Sequence, residues 1–178
     1  MIPTERIDQA FLQLEFAIKL LTYVELGKLD KKEFDVDVTL LLKENNLTFR
    51  NDTFQKYDDL INAVQNNYNI TLGFTAILLN SCFEEAGTNH DPKDNLFKAE
   101  IRSLIYMIRC AFAHDMMSPK WEVRGKYNRI LNIQFEDYKL EINLCKLDGQ
   151  PFEVSQIGGI DNYYKVKDAA QGFLITKK

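Results

Sequence analysis

The sequence predicts a mainly α chain forming one domain, 1–178, in which an antiparallel helical bundle (1–117) precedes a small C-terminal β-hairpin or sheet appendage and a closing helix (118–178). Three observations carry that expectation. Apolar residues recur at steps of three and four through most of the first part, Ser118-Pro119 ends the helical patterning, and apolar residues then alternate with polar ones before one last helical stripe. With 178 residues, 46% hydrophobic and 27% charged, the chain can bury a core without disulfide or metal staples and lies far from the disordered classes.

In the first helix Ile7, Phe11, Leu14, Ile18 and Leu21 share one side, with Thr4 as its cap and Gly27 as its stop. Residues 33–49 read two ways: Phe34, Val36 and Val38 alternate like a strand, whereas Leu40, Leu41 and Leu42 fit a helix, so the stretch is left as a connector. Asn51 or Asp52 caps a long helical region with stripes Tyr57, Ile61, Val64, Tyr68 and Leu72, Ala76, Leu79, Phe83. Asn66-Asn67 and Gly73 are expected to kink or divide it. After the turn-rich segment 88–94, Asp94 or Asn95 caps a helix whose core stripe is Phe97, Ile101, Leu104, Ile108 and Ala111.

Beyond Trp121, Leu131, Ile133 and Phe135 alternate on one side of Glu136-Asp137 and Leu140, Ile142 and Leu144 on the other, which predicts a hairpin. Asp148-Gly149 predicts a tight turn. Gly158-Gly159 then precedes a helix with Tyr163, Val166, Ala170 and Phe173 on one face.

No basic segment followed by an apolar one opens the chain, and no run approaches the ~18 apolar residues of a membrane span, so a cytoplasmic protein with no membrane partner is expected. Cys82, Cys110 and Cys145 stand far apart in apolar settings and are expected as reduced core thiols. With His90 and His114 the only histidines, neither a metal site nor a cofactor is expected. The net charge of −4 excludes a generally basic nucleic-acid coat, so RNA binding requires a local patch.

The chemistry is concentrated in Ser103-Leu-Ile-Tyr-Met-Ile-Arg-Cys-Ala-Phe-Ala-His114, where Arg109 is the one charge among apolar or small side chains. An arginine so placed needs an anion, and beside an imidazole it can neutralise a phosphate while the ring moves protons. Ala99, Ser103, Tyr106, Cys110 and Ala113 make a second stripe opposite the core stripe. Cover for it is expected from a second copy, in a homodimer through the Arg109/His114 helix. The pair lies about 140° apart and about 7.5 Å apart along the axis, flanking that stripe. The competing structural reading pairs a buried Arg109 with Glu84, Glu85 or Glu100 and leaves His114 as a residue favoured by the helix dipole.

The motif Arg109-Cys-Ala-Phe-Ala-His114, with Cys82-Phe-Glu-Glu-Ala-Gly87 upstream and Asp115-Met-Met-Ser-Pro-Lys-Trp121 after it, resembles the HEPN superfamily, marked by Arg-x4-6-His at the end of a late helix in a helical bundle. The likeness covers roughly residues 51 to 122. It implies a metal-independent endoribonuclease in which the RNA's 2′-hydroxyl is the nucleophile, acting in a toxin–antitoxin or phage-defence setting with an antitoxin or defence-system protein as partner. His114 then transfers protons and Arg109 stabilises the transition state. The alternative the family offers is a non-catalytic RNA-, nucleotide- or protein-binding module, or a structural subunit of a defence complex. Cys110 stands where active members often carry a polar residue. Met116 stands where some toxin members carry a tyrosine that an antitoxin modifies, and that control is not carried over.

Around the pair, Glu84 and Glu85, with Cys110, are candidates to position Arg109, and Lys120, Arg124 and Lys126 to contact RNA phosphates. Trp121, Tyr106 and Tyr127 have the rings to stack on bases, although the apolar surroundings of Trp121 and Tyr106 favour packing. His90, in the 88–94 loop, is assigned no role.

Overall fold

The computed structural model describes residues 2–43, 45–88 and 95–175. In chain order the elements are α1 (Pro3–Glu25), α2 (Lys31–Phe34), β1 (Val38–Leu41), β2 (Asn46–Phe49), α3 (Tyr57–Glu85), α4 (Leu96–Phe112), β3 (Ile130–Gln134), β4 (Lys139–Asn143) and α5 (Ile160–Ile175). Segment 88–94, where His90 lies, is outside the described residues from 89 onward.

α1 and α3 form an antiparallel pair, and α4 packs back along the C-terminal half of α3. Ile7, Phe11 and Leu14 of α1, Leu72, Ala76, Leu79 and Phe83 of α3, and Ile101, Leu104, Ile108 and Ala111 of α4 are all buried in one core, as their spacing predicts. Ile18 and Leu21 are only half-buried, because the core narrows there to a smaller cluster of Val24, Leu60 and Val64.

Helix starts differ from the expected caps. Ile2, not Thr4, precedes α1: Pro3 begins the helix, where its missing N–H costs nothing, and the Ile2 amide donates to Glu5. α3 starts after Lys56, whose amide donates to Asp59 at 2.8 Å, rather than at Asn51 or Asp52. Asn95 does cap α4, accepting from the Lys98 amide at 2.8 Å. α3 runs as one helix through Asn66-Asn67 and Gly73. Gly73 serves close approach instead of a break, since a Cβ there would lie 2.5 Å from Cδ1 of Phe112 on α4.

Residues 33–49 follow neither reading as spaced: Phe34 ends the short helix α2, Val36 lies in no element, and the strand begins at Val38 and takes in Leu40 and Leu41, the residues that fitted a helix, in the antiparallel β1–β2 hairpin. α4 ends at Phe112, before Ser118-Pro119. The predicted C-terminal hairpin forms as β3 and β4 in antiparallel register, Leu131 opposite Ile142 and Ile133 opposite Leu140, all four side chains buried. Gly149 takes the tight turn at φ +74°.

The C-terminal part is more than an appendage. Leu131, Ile133, Ile142, Trp121, Tyr163, Val166 and Ala170 belong to the same core as α1, α3 and α4. β3 lies against α4, and α5 contacts α1, α3 and α4. Tyr163 shares a hydrogen bond of 2.8 Å with Thr75 of α3, and Trp121 donates to Gln156 at 2.7 Å. No helix among the described residues is long and apolar enough to cross a membrane.

Candidate functional site

α4 carries two arginines on one face, seven residues and about 10 Å apart, and the fold treats them differently. Arg102 is 0% exposed. Its guanidinium lies 5.2 Å above the Phe83 ring, donates to Asn80 Oδ1 and sits 3.8 Å from Glu84 Oε1, to which Asn80 also donates at 2.8 Å. Burial pushes its pKa down, against the opposing pull of Glu84. The arginine whose desolvation requires a fixed partner is therefore Arg102 and not Arg109. A signal for it existed in the sequence: a helix apolar on both faces leaves an arginine between Ile101 and Ser103 no solvent side.

The carboxylates proposed to hold Arg109 serve other cations. Glu84 pairs with Arg102, Glu85 with Arg6 at 2.7 Å, and the buried Glu100 with Arg129 at 2.5 Å. Arg50 meets Asp37 and Arg124 meets Glu122. Among the described residues Arg109 is the one arginine of six without a carboxylate partner, and its side chain is half-exposed. Glu84 and Glu85 thus do not orient it.

His114 lies just past the C-cap residue Ala113, in a stretch folded back on the helix. Asp115 accepts from the amides of Met117 and Ser118, Asn69 of α3 donates to the Met117 carbonyl, and the Lys120 amide donates to the Ala111 carbonyl at 3.1 Å. Trp121 pairs through its backbone with Gln150 and Gly149, so the segment is extended. Alternation then sends Trp121 and Val123 into the core and leaves Lys120 and Glu122 on the outside. Glu122 Oε1 lies 3.4 Å from His114 Nε2, and the imidazole side chain is 76% exposed. Ala111, His114, Asp115, Ser118, Lys120 and Glu122 line a recess of about 190 Å³, in which Arg109 takes no part. Glu122 was not anticipated from sequence; the alternation around the buried Trp121 was the available clue.

From Lys120 the chain runs antiparallel along α4. Lys120 is level with Ala111, Tyr127 stacks on Tyr106 with centroids 5.0 Å apart, and Arg129 reaches Glu100 and Ser103. Arg109 therefore lies between the first two of these levels. Lys120, Arg124 and Lys126 are exposed along this strap; Arg124 shares Glu122 with His114, and Lys126 Nζ stands 5.3 Å over the Tyr127 ring. Cys110 is half-exposed beside Tyr106, and its sulfur raises the Tyr106 pKa by charge and hydrogen bond while Arg109 acts the other way. Trp121 is fully buried and offers no face to a base.

The strap also answers part of the expectation about the second stripe of α4. Ala99 and Ser103 are buried within the chain itself, Tyr106 is half-covered by Tyr127, and only Cys110 and Ala113 remain open. Of the thiols, only Cys82 is a core residue; Cys145 is exposed. Compared with known proteins, the chain matches no family model, no curated protein and no solved structure, so the HEPN likeness rests on Arg109, His114 and their setting alone.

Proposed function

We propose that the chain is a metal-independent endoribonuclease of the HEPN type, in a toxin–antitoxin or phage-defence setting, which cleaves RNA by attack of its own 2′-hydroxyl on the adjacent phosphate. The observation that carries this reading is Arg109: every other arginine has a carboxylate, while this one stands half-exposed five residues before the exposed imidazole of His114. A planar cation without an internal anion is suited to an external one, and a phosphodiester is matched to its fork of donors. Glu122 at Nε2 of His114 orients the ring and leaves Nδ1 to take the 2′-hydroxyl proton or to protonate the leaving 5′-oxygen. Arg109 stabilises the added negative charge of the phosphorane-like transition state. Lys120, Arg124 and Lys126 supply the local basic rim that an acidic chain needs for RNA.

One protomer holds His114 in a recess that Arg109 does not line. A homodimer docked on the last turn of α4, at Cys110 and Ala113, would supply the missing proximity by bringing Arg109 of one copy toward His114 of the other. The same separation favours the second reading, a non-catalytic HEPN-like module that binds RNA, a nucleotide or a partner protein. Incubating single-stranded RNA with the protein in the presence of a chelator decides between them. Cleavage leaving a 2′,3′-cyclic phosphate, absent on DNA and abolished in a folded His114→Ala variant, is the expected result; intact RNA with the wild type overturns the nuclease reading.

A further inference from the structure

The β1–β2 hairpin has the patterning of a half-buried sheet, but the protomer does not bury it. In the register Val38 opposite Phe49 and Leu40 opposite Leu47, four apolar side chains occupy one face. The other face carries Thr39 and Thr48, whose hydroxyls are 3.0 Å apart, and the exposed Leu41. Apart from Leu41 at the strand end, the two faces divide into apolar and polar, the pattern of a sheet with one side covered. Here Val38 is 47%, Leu40 45%, Leu47 46% and Phe49 52% exposed, and the substantial contacts of the two strands are with each other.

The hairpin is nonetheless held in place at its roots. Asp35 accepts from the Phe54 amide at 3.0 Å, and Asp37 accepts from the Asn51 amide at 2.8 Å. It sits at the end of the α1–α3 pair that projects beyond α4: the last turn of α4 packs at Gly73, leaving residues 57–72 of α3, about 24 Å of helix, past that point. A two-stranded sheet with one bare apolar face is at best marginal in water, so its persistence calls for a cover.

We infer that this cover is the same hairpin of a second copy, packed face to face across a two-fold axis. The paired strands Val38–Leu41 and Asn46–Phe49 contain no charged residue, so two copies meet there without repulsion and without burying an unpaired charge. The strands offer no cation to a nucleic acid and no anion to a basic partner. Val38, Leu40, Leu47 and Phe49, with Val36 and Leu42 flanking them in the chain, leave on the order of 500 Å² exposed, the size of a functional surface patch and a little over half of the ~800 Å² that one partner contributes to a standard interface. Two such faces form a four-stranded sandwich with an isologous contact. The interface holds whether or not the chain cleaves RNA.

Sedimentation of the full chain from about 1 to 100 µM tests it, since self-association shows as a concentration-dependent mass. The expected species is twice the 20.7 kDa chain, or four times it where α4 pairs as well, in which case the paired lysine substitutions at Leu40 and Leu47 halve the mass. Leu40→Lys together with Leu47→Lys raises the dimer dissociation constant at least ~100-fold while the helical circular dichroism spectrum is unchanged, whereas Leu41→Lys, on the opposite face, leaves the dissociation constant unaltered. A wild type that stays monomeric throughout overturns the inference. So does a dimer that the double variant leaves intact, which would place the contact elsewhere, on α4 for instance.

Discussion

At the residue scale the fold separates two arginines that the sequence presents alike. Arg102 is enclosed against Phe83 and Asn80 and faces the more exposed Glu84, so Arg102→Ala leaves the buried Asn80 carbonyl without its donor and a cavity beside Phe83, and is expected to cost about 2–4 kcal/mol in denaturant unfolding. Arg109 has no such partners, and Arg109→Ala is expected to stay within about 0.5 kcal/mol of wild type in the same measurement. On the proposed function its effect falls on turnover: single-turnover RNA cleavage is expected to fall by about 10²-fold or more, because the second negative charge on the phosphoryl oxygens develops only in the transition state. Equal stability losses in the two variants would show that Arg109 is as structural as Arg102.

At the scale of elements, α3 is the member on which α1, α4 and α5 converge. Gly73 lies within contact of Phe112, so Gly73→Ala is expected to destabilise by about 1–3 kcal/mol through overpacking, although alanine is the better helix former, and calorimetry reads the sign directly. α5 is joined to α3 by the buried hydrogen bond between Tyr163 and Thr75. Burial raises the Tyr163 phenol above its ordinary value of 10, so the unfolded chain releases this proton first. The stability linked to it is complete below pH 10 and is lost as pH climbs from there toward the folded value. Tyr163→Phe, about 1 kcal/mol less stable at neutral pH for want of the hydrogen bond, is expected to show a shallower decline in melting temperature above pH 10.

For the whole molecule, the continuous core from Ile7 to Ala170 implies that the helical and β parts unfold together. Trp121 is completely buried at their junction, against Phe152 and hydrogen-bonded to Gln156, so Trp121→Ala is expected to cost about 3–5 kcal/mol. Circular dichroism of the helices and fluorescence of the sole tryptophan should give coincident transitions in wild type. Two separate transitions would make the C-terminal part an independent unit after all.

The sequence by itself determined what depends on neighbours along the chain. The apolar stripes of α1, α3, α4 and α5, the Asn95 cap and the alternation of β3 and β4 follow from periods of 3.6 and 2 that any local window contains. Arg109 and His114 were legible as candidates for the same reason, since their apolar context is local. Only the tertiary structure decided which acid meets which arginine, that Glu122 stands beside His114, that Gly73 is a contact instead of a break, and that a strap of the chain itself covers half of the second face of α4. Each of these joins residues from separate elements, and such pairings are fixed by how the packed elements share the burial of apolar surface and the neutralisation of charge, quantities no stretch of sequence holds alone.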